Sequence, residues 1–176
     1  MPPADTDDSD DVRRHDRLQR QSTAGPHNSL WGWASIRSPW RVVRNYLVVW
    51  LIRISPSLRL KNWLLRRLGA TIGTGVAFGL EATPDVFWPE LISVGDHAII
   101  GYDATLLCHE FLQDEYRLGE VVIGERAMIG AGATVLPGVA ARRRNTMLTR
   151  HPWPWSELLC TIVAVSSFCG ASSCPA

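Results

Sequence analysis

The stretch ISVGDHAIIGYDATLL, residues 92–107, repeats one motif at six-residue steps. Each step begins with an aliphatic residue, and a small or branched residue follows four positions later. A second series with the same spacing, VVIGERAMIGAGATVL, occupies residues 121–136. Repeats at a fixed period indicate structural units that stack on one another. The leading aliphatic residues are Ile72, Val94, Ile100, Leu106, Ile123, Ile129 and Val135.

This six-residue pattern describes one flat face of a parallel β-helix. The aliphatic side chain points inward, the small residue fits the corner, and glycine supplies the turn geometry. Antiparallel strands joined by glycine turns are the alternative, but they do not require a sixfold register. The sequence therefore predicts an all-β solenoid of hexapeptide repeats over residues 70–139, preceded by a helical hairpin.

The stretches ISVGDHAIIGYDATLLCHEF and VVIGERAMIGAGATVLPGV resemble the hexapeptide-repeat acyltransferases. The resemblance covers residues 66–139 and is closest to the maltose, galactoside and sugar O-acetyltransferase branch. It implies a left-handed parallel β-helix, a homotrimer with sites between subunits, and acetyl-CoA as co-substrate. It also implies direct transfer of the acetyl group to a hydroxyl, with a histidine as general base and no acyl-enzyme. The γ-class carbonic anhydrases share that fold, but they bind zinc through three histidines, and the repeats contain only His97 and His109.

Changes in composition divide the chain into four parts. Residues 1–29 are polar and acidic, which predicts a disordered arm, and residues 30–69 carry the helical pattern. Residues 70–139 hold the repeats. Residues 140–176 lose the six-residue step and read as an out-of-frame tail, a divergent cap or a contact segment.

The helical segment contains Trp40, Val43, Leu47 and Trp50 at three- and four-residue steps. That spacing predicts one apolar helix face, which we expect to pack against the domain. Its longest uncharged apolar stretch is too short to span a membrane, which requires roughly 20 residues. Weak contact with a membrane surface through residues 40–68 is the alternative, because tryptophan and arginine suit an interfacial helix.

The six-residue step breaks twice, between Phe78 and Val94 and between Leu106 and Ile123. We expect both insertions to leave the repeats as loops. The second contains His109, which matches the general base of the resembling family. An imidazole suits that role because its unperturbed pKa of about 6.5 lets it accept a proton at neutral pH.

The remaining site residues are predicted from their positions near His109 and along the second series. Glu110, the neighbour of His109, is a candidate to orient the imidazole. Tyr102 and Asp103, one turn earlier, are candidates to contact the acceptor, and a solvated corner is the alternative for them. Small residues along the coils of the second series leave the backbone open to the pantetheine arm of CoA. The cofactor-binding candidates are Gly130, Ala131, Gly132 and Ala133.

Charge and cysteine content narrow the function classes. A formal net charge of +1 gives no electrostatic reason to expect nucleic-acid binding. The four cysteines form no CxxC pair, so no metal is expected. The acidic N-terminus favours a cytoplasmic protein. The leading hypothesis is an O-acetyltransferase acting on a sugar or similar small acceptor, and the rival is a non-catalytic scaffold with an incomplete CoA site.

Overall fold

The computed structural model describes residues 14–23 and 28–141. Three helices precede most of the strands: α1 (Trp33–Ile36), α2 (Pro39–Ile54) and α3 (Leu58–Arg67). Proline suits the first position of α2, because its missing N–H has no intrahelical partner there. The Ser38 side chain, just before α2, makes no cap hydrogen bond, whereas Ser57 accepts one from the Leu60 amide at the start of α3.

The strands that follow are short and mostly parallel. Three of the sheets are parallel, with the strand orders β12–β9–β4–β2, β10–β5–β3 and β11–β6. Their bounds are β2 (Thr71–Ile72), β3 (Ala77–Phe78), β4 (Ile92–Val94), β5 (Ile99–Ile100), β6 (Thr105–Leu106), β9 (Val121–Ile123), β10 (Met128–Ile129), β11 (Thr134–Val135) and β12 (Ala140–Ala141).

The pairing register places equivalent residues of the two series beside one another. Ile72 pairs with Val94, which in turn pairs with Ile123. The aliphatic residues that lead the six-residue steps are all buried. For all of them except Leu106, which ends its series, a small or branched residue four positions later is buried too: Val76, Ala98, Ala104, Ala127, Ala133 and Val139. The parallel strands therefore build one core from their inward side chains. Between the strands, Gly101 lies so close to the next turn that an added Cβ would stand 2.6 Å from the Ala131 nitrogen.

An antiparallel sheet lies beside the parallel ones, with the order β1–β8–β7. Its strands are β1 (Gln19–Ser22), β7 (His109–Phe111) and β8 (Glu115–Leu118). The second insertion thus forms a β-hairpin. The chain before α1 adds the third strand, although the sequence predicted a disordered arm there. Leu18 anchors that strand, since it is buried next to Gly119 and Gly138.

The prediction of an all-β, left-handed β-helix solenoid is wrong. The described residues form a mixed α/β fold, in which three helices and an antiparallel sheet accompany three small parallel sheets. A six-residue spacing indicates which residues stack and become buried. It carries no information about the longer segments between them, and those segments supply the helices and the antiparallel hairpin.

Helix α3 packs on β2 and β3, and α2 packs on α3. Val49, Ile52 and Leu65 are buried on the inner side of the two helices. Polar groups of α3 satisfy the carbonyls on either side of β3: Lys61 Nζ donates to the Gly79 oxygen at 2.6 Å, and Asn62 donates to the Val76 oxygen at 2.9 Å. The face predicted to pack, the one bearing Trp40 and its helical neighbours, is instead exposed. None of the described helices is long and apolar enough to cross a membrane.

The proposed division into four parts remains a prediction. Residues 1–13 and 24–27 of the predicted arm lie outside the described residues. The same holds for residues 142–176, which include nearly all of the tail that departs from the repeats.

Two adjacent isoleucines of β5 test which side of the strand carries the stability. Ile100 is 1% exposed and Ile99 is 46% exposed. We expect Ile100→Ala to lower the free energy of unfolding by about 2–5 kcal/mol, because it removes buried methyl groups and leaves a cavity. Ile99→Ala, the matched control, should change it by less than about 1 kcal/mol. Urea unfolding followed by circular dichroism measures both, and equal losses would contradict the inward assignment.

Candidate active site

The two insertions that interrupt the six-residue steps meet at one place. The first, between β3 and β4, supplies Asp85, Phe87 and Trp88, and the second supplies β7 and β8. Residues 24 positions apart, Asp85 and His109, are thereby brought into direct contact. The two inserted segments, and not the repeats, therefore form the site.

Asp85 is the buried anchor of this site. Its side chain has no exposed surface. One carboxylate oxygen, Oδ1, accepts hydrogen bonds from the amides of Phe87 at 2.7 Å and Trp88 at 2.9 Å. The other, Oδ2, accepts one from the Cys108 amide at 2.6 Å. A buried carboxylate requires such donors, because leaving its oxygens unpaired would cost several kcal/mol.

The same Oδ2 atom lies 2.6 Å from Nδ1 of His109. A carboxylate can only accept, so Nδ1 carries the proton and Nε2 of the neutral ring is left as an acceptor. The His109 side chain is 15% exposed, enough for an outside group to reach the ring. The contact thus fixes the tautomer and the orientation of the imidazole.

Aromatic side chains surround the His109 ring. Ring centroids lie 4.9 Å away for Phe87, 5.3 Å for Trp88 and 5.0 Å for Phe111. Tyr116 stacks on Trp88 from the second strand of the hairpin at 6.2 Å. These rings restrict the motion of the imidazole and keep much of the surrounding water away from it.

Cys108 immediately precedes His109 but does not suit nucleophilic chemistry. Its side chain is fully buried. Burial raises the pKa of the Cys108 thiol strongly, and the neighbouring Asp85 carboxylate raises it further. Because the thiolate is the reactive form, this residue is chemically inert in the folded protein.

Glu110, the sequence-predicted partner of His109, points elsewhere. Successive side chains of a strand alternate between its two faces, and Glu110 pairs with Arg14. Arg14 also donates from Nε to the Pro137 carbonyl at 2.8 Å. Glu110 therefore ties the segment before β1 to the hairpin, while Asp85 occupies the orienting position.

The predicted acceptor and CoA residues form a second group. Tyr102 and Asp103 make the turn between β5 and β6, and Asp103 has a positive φ of 54°. The turn between β10 and β11 lies directly against it, and the Gly132 amide donates to the Tyr102 carbonyl at 2.8 Å. Within that second turn Ala131 is exposed, while Gly130 and Ala133 are buried. None of the contacts described above joins these two turns to the Asp85–His109 pair.

An open cleft of about 530 Å³ lies next to the aromatic rings. Asn28, Leu30, Trp31, Trp33 and Phe87 line it. Trp33 meets Phe87 edge to face at 5.8 Å, so the cleft wall is continuous with the ring that contacts His109. No cluster of three metal-ligating side chains occurs among residues 14–23 and 28–141.

Asp85 and its aromatic neighbours are what the sequence analysis missed. The first insertion was recognised as a break but was given no chemical role. The signal lay in the stretch DVFW, residues 85–88, where a single aspartate precedes bulky side chains. Proximity to His109 could not be read from it, because the contact depends on how the two insertions fold back.

Similarity to known proteins connects the chain to proteins named as putative acetyltransferases. A Bacillus subtilis (strain 168) protein named "Putative acetyltransferase YvoF" is 46% identical over 113 residues, which are 64% of this chain and 66% of that protein. Staphylococcus aureus proteins named "Putative acetyltransferase SAS0727" (strain MSSA476) and "Putative acetyltransferase SAR0816" (strain MRSA252) are 37% identical over 86 residues, which are 48% of this chain and 53% of theirs.

The chain spans just under two thirds of the first relative's length and about half of the others'. No protein-family model matches it, and no solved structure matches it significantly. The relatives' names support an acetyltransferase family.

The state of Cys108 can be tested directly. We expect iodoacetamide to leave Cys108 unmodified in the native protein, because burial raises the pKa of its thiol and excludes the reagent. Mass-spectrometric mapping of the peptide that contains Cys108 measures this, and the urea-unfolded chain is the control in which the same peptide should be alkylated. Equal alkylation of native and unfolded chains would show that the thiol is accessible.

Proposed function

We propose that this protein is an acetyl-CoA-dependent O-acetyltransferase that acetylates a hydroxyl of a sugar or similar small acceptor. The relatives support acetyl transfer in general. The observation that carries the finer proposal is the 2.6 Å contact between His109 Nδ1 and the buried Asp85 carboxylate. That contact leaves Nε2 as the basic atom, at the edge of an aromatic cluster.

In the proposed reaction His109 acts as general base. Nε2 takes the proton of the acceptor hydroxyl as its oxygen attacks the carbonyl carbon of the acetyl thioester. The resulting tetrahedral intermediate collapses with cleavage of the carbon–sulfur bond. The CoA sulfur leaves and takes up the proton from Nε2, so the imidazole returns to its neutral form and the products are the acetyl ester and CoA.

Asp85 is the positioning residue in this mechanism. Its carboxylate holds the Nδ1–H tautomer and lies 2.6 Å from the ring nitrogen when the ring gains its second proton. The three amide donors fix the carboxylate, so no reorganisation is needed as charge develops. Because Cys108 is buried and protonated, the acetyl group is transferred directly to the acceptor.

The turns around β5 and β10 supply the proposed binding groups. Tyr102 and Asp103 are proposed to contact the acceptor, and the Tyr102 side chain is exposed. Glu110 is not included, because it is paired with Arg14 on the other face of β7. Gly130, Ala131, Gly132 and Ala133 are proposed to border the pantetheine arm. The fit is good at Ala131 and Gly132, whose small side chains leave the backbone reachable, and poorer at the buried Gly130 and Ala133. Because none of the contacts described above joins these turns to His109 within one chain, the proposed site forms between neighbouring subunits of a homotrimer, as the resemblance implies. A cytoplasmic location completes the proposal.

Replacing the base should abolish turnover. We expect His109→Gln to lower kcat by about 10²- to 10⁴-fold, since the amide cannot accept the hydroxyl proton. The assay is thiol release from acetyl-CoA in the presence of a panel of sugars, measured with a thiol-reactive dye. His15→Gln, at an exposed histidine, is the matched control and should keep full activity. Unchanged turnover in His109→Gln would remove His109 from the mechanism. If the unaltered chain releases no thiol with any acceptor, a non-catalytic scaffold would be favoured instead.

The positioning role of Asp85 predicts a loss in kcat without a matching change in KM. We expect Asp85→Asn to lower kcat by about 10²- to 10⁴-fold, because a neutral amide no longer stabilises the imidazolium. The KM for acetyl-CoA should change little, since the partners of Asp85 are Phe87, Trp88, Cys108 and His109 and include no residue of the proposed cofactor turn. Steady-state kinetics below the variant's melting temperature measure both constants. A rise in KM with unchanged kcat would indicate a purely structural role.

A further inference from the structure

Helices α2 and α3 carry an apolar surface that nothing in the described chain covers. On α2 an exposed stripe follows three- and four-residue steps, which places its members along one line of the helix. The exposed fractions are 78% for Trp40, 47% for Val43, 59% for Leu47, 53% for Trp50 and 48% for Ile54. The opposite side of the same helix is buried through Asn45, Val49 and Ile52.

The surface continues beyond α2 onto α3. Leu58, Leu60 and Trp63 are exposed by 44%, 37% and 51%, and Tyr46 and Leu51 lie beside the α2 stripe. An apolar area of this extent is unusual on the surface of a soluble monomer and indicates a contact with something else. Three of its members, Trp40, Trp50 and Trp63, are tryptophans, which favour the boundary between water and lipid.

The charged side chains of α2 and α3 themselves have a single sign, although Glu81, outside the helices, pairs with Arg53 of α2 at 2.7 Å. Residues 39–67 contain no aspartate or glutamate, whereas they include six arginines and Lys61. Arg41, Arg44 and Arg59 are exposed on the same two helices, and Arg67 lies over the Trp63 ring at 5.1 Å. Lys61 and Arg66, by contrast, are tied to strand carbonyls.

We propose that the α2–α3 surface docks on a membrane that contains anionic lipids. The exposed indoles and aliphatic side chains would enter the interface between headgroups and acyl chains, while the arginines meet lipid phosphates. The docking is peripheral, because neither helix is long enough to span. This inference does not depend on the proposed catalytic activity.

The charge pattern also decides between a membrane and a second copy of this chain. A symmetric contact through this surface would set the arginines of one copy against those of the other, without an acidic residue of α2 or α3 to pair with them. An anionic lipid surface supplies the missing negative charge. The complementarity therefore favours lipid over self-association.

Flotation of the full chain with lipid vesicles tests the proposal. We expect the chain to float with vesicles of phosphatidylcholine mixed with phosphatidylglycerol, and to float much less with vesicles of phosphatidylcholine alone. Leu47→Glu should abolish flotation, because it sets a negative charge in the middle of the stripe. The double variant Arg41→Gln/Arg59→Gln should weaken partitioning by about fivefold for each arginine removed.

A matched control separates this surface from general stickiness. Met128, on β10, is 40% exposed and lies outside the helices, so Met128→Glu should float like the unaltered chain. Circular dichroism verifies that each variant is folded. Failure of the unaltered chain to float with anionic vesicles, or flotation of Leu47→Glu, would overturn the proposal. So would sedimentation velocity showing an oligomer that Leu47→Glu dissociates, combined with no vesicle binding, since the surface would then belong to a contact between copies.

Discussion

The Asp85 carboxylate is the interaction on which the site depends. Four donors converge on its two oxygens: the amides of Phe87, Trp88 and Cys108, and Nδ1 of His109. The buried carboxylate holds the first insertion folded back on itself and connects it to Cys108, just after β6. It also sets the tautomer of the imidazole. Because the carboxylate is buried, it needs all of these donors together: an ionised carboxylate that lacks them is costly in an apolar environment.

Two other parts of the molecule, the core of parallel strands and the antiparallel sheet, hold the residues around Asp85 in place. Parallel strands stack aliphatic side chains into a rigid core, which fixes where each insertion leaves and returns. The antiparallel sheet then holds β7 through β8 and β1, and the ion pair between Arg14 and Glu110 fastens the outer strand. Helices α2 and α3 close one end of the core with one face and leave the other face to the solvent. The same core of parallel strands therefore supports both the candidate active site and the helices that carry the exposed apolar surface.

Only part of the candidate site could be predicted from the sequence. His109 follows a strand end where the six-residue step breaks, so its position could be singled out. Glu110 was predicted as its partner because the two residues are adjacent in sequence. Adjacent side chains of a strand point to opposite faces, however, so Glu110 cannot orient the His109 ring. Asp85 escaped because its role arises from a contact across two insertions. Likewise, the exposed stripe of α2 has the spacing of a buried helix face, and periodicity cannot say which of two apolar sides meets the core.

By itself the sequence determined which residues of the repeats are inward, where the six-residue step breaks, that a helical segment precedes the repeats, and which histidine to examine. Those are local properties: side-chain periodicity and glycine at a turn. Only the tertiary structure decided the mixed α/β fold, the Asp85–His109 pair, the strand formed by residues 19–22 and the outward face of α2. Each of these depends on contacts between segments far apart in the chain, and their geometry is set by packing that no short stretch of residues encodes.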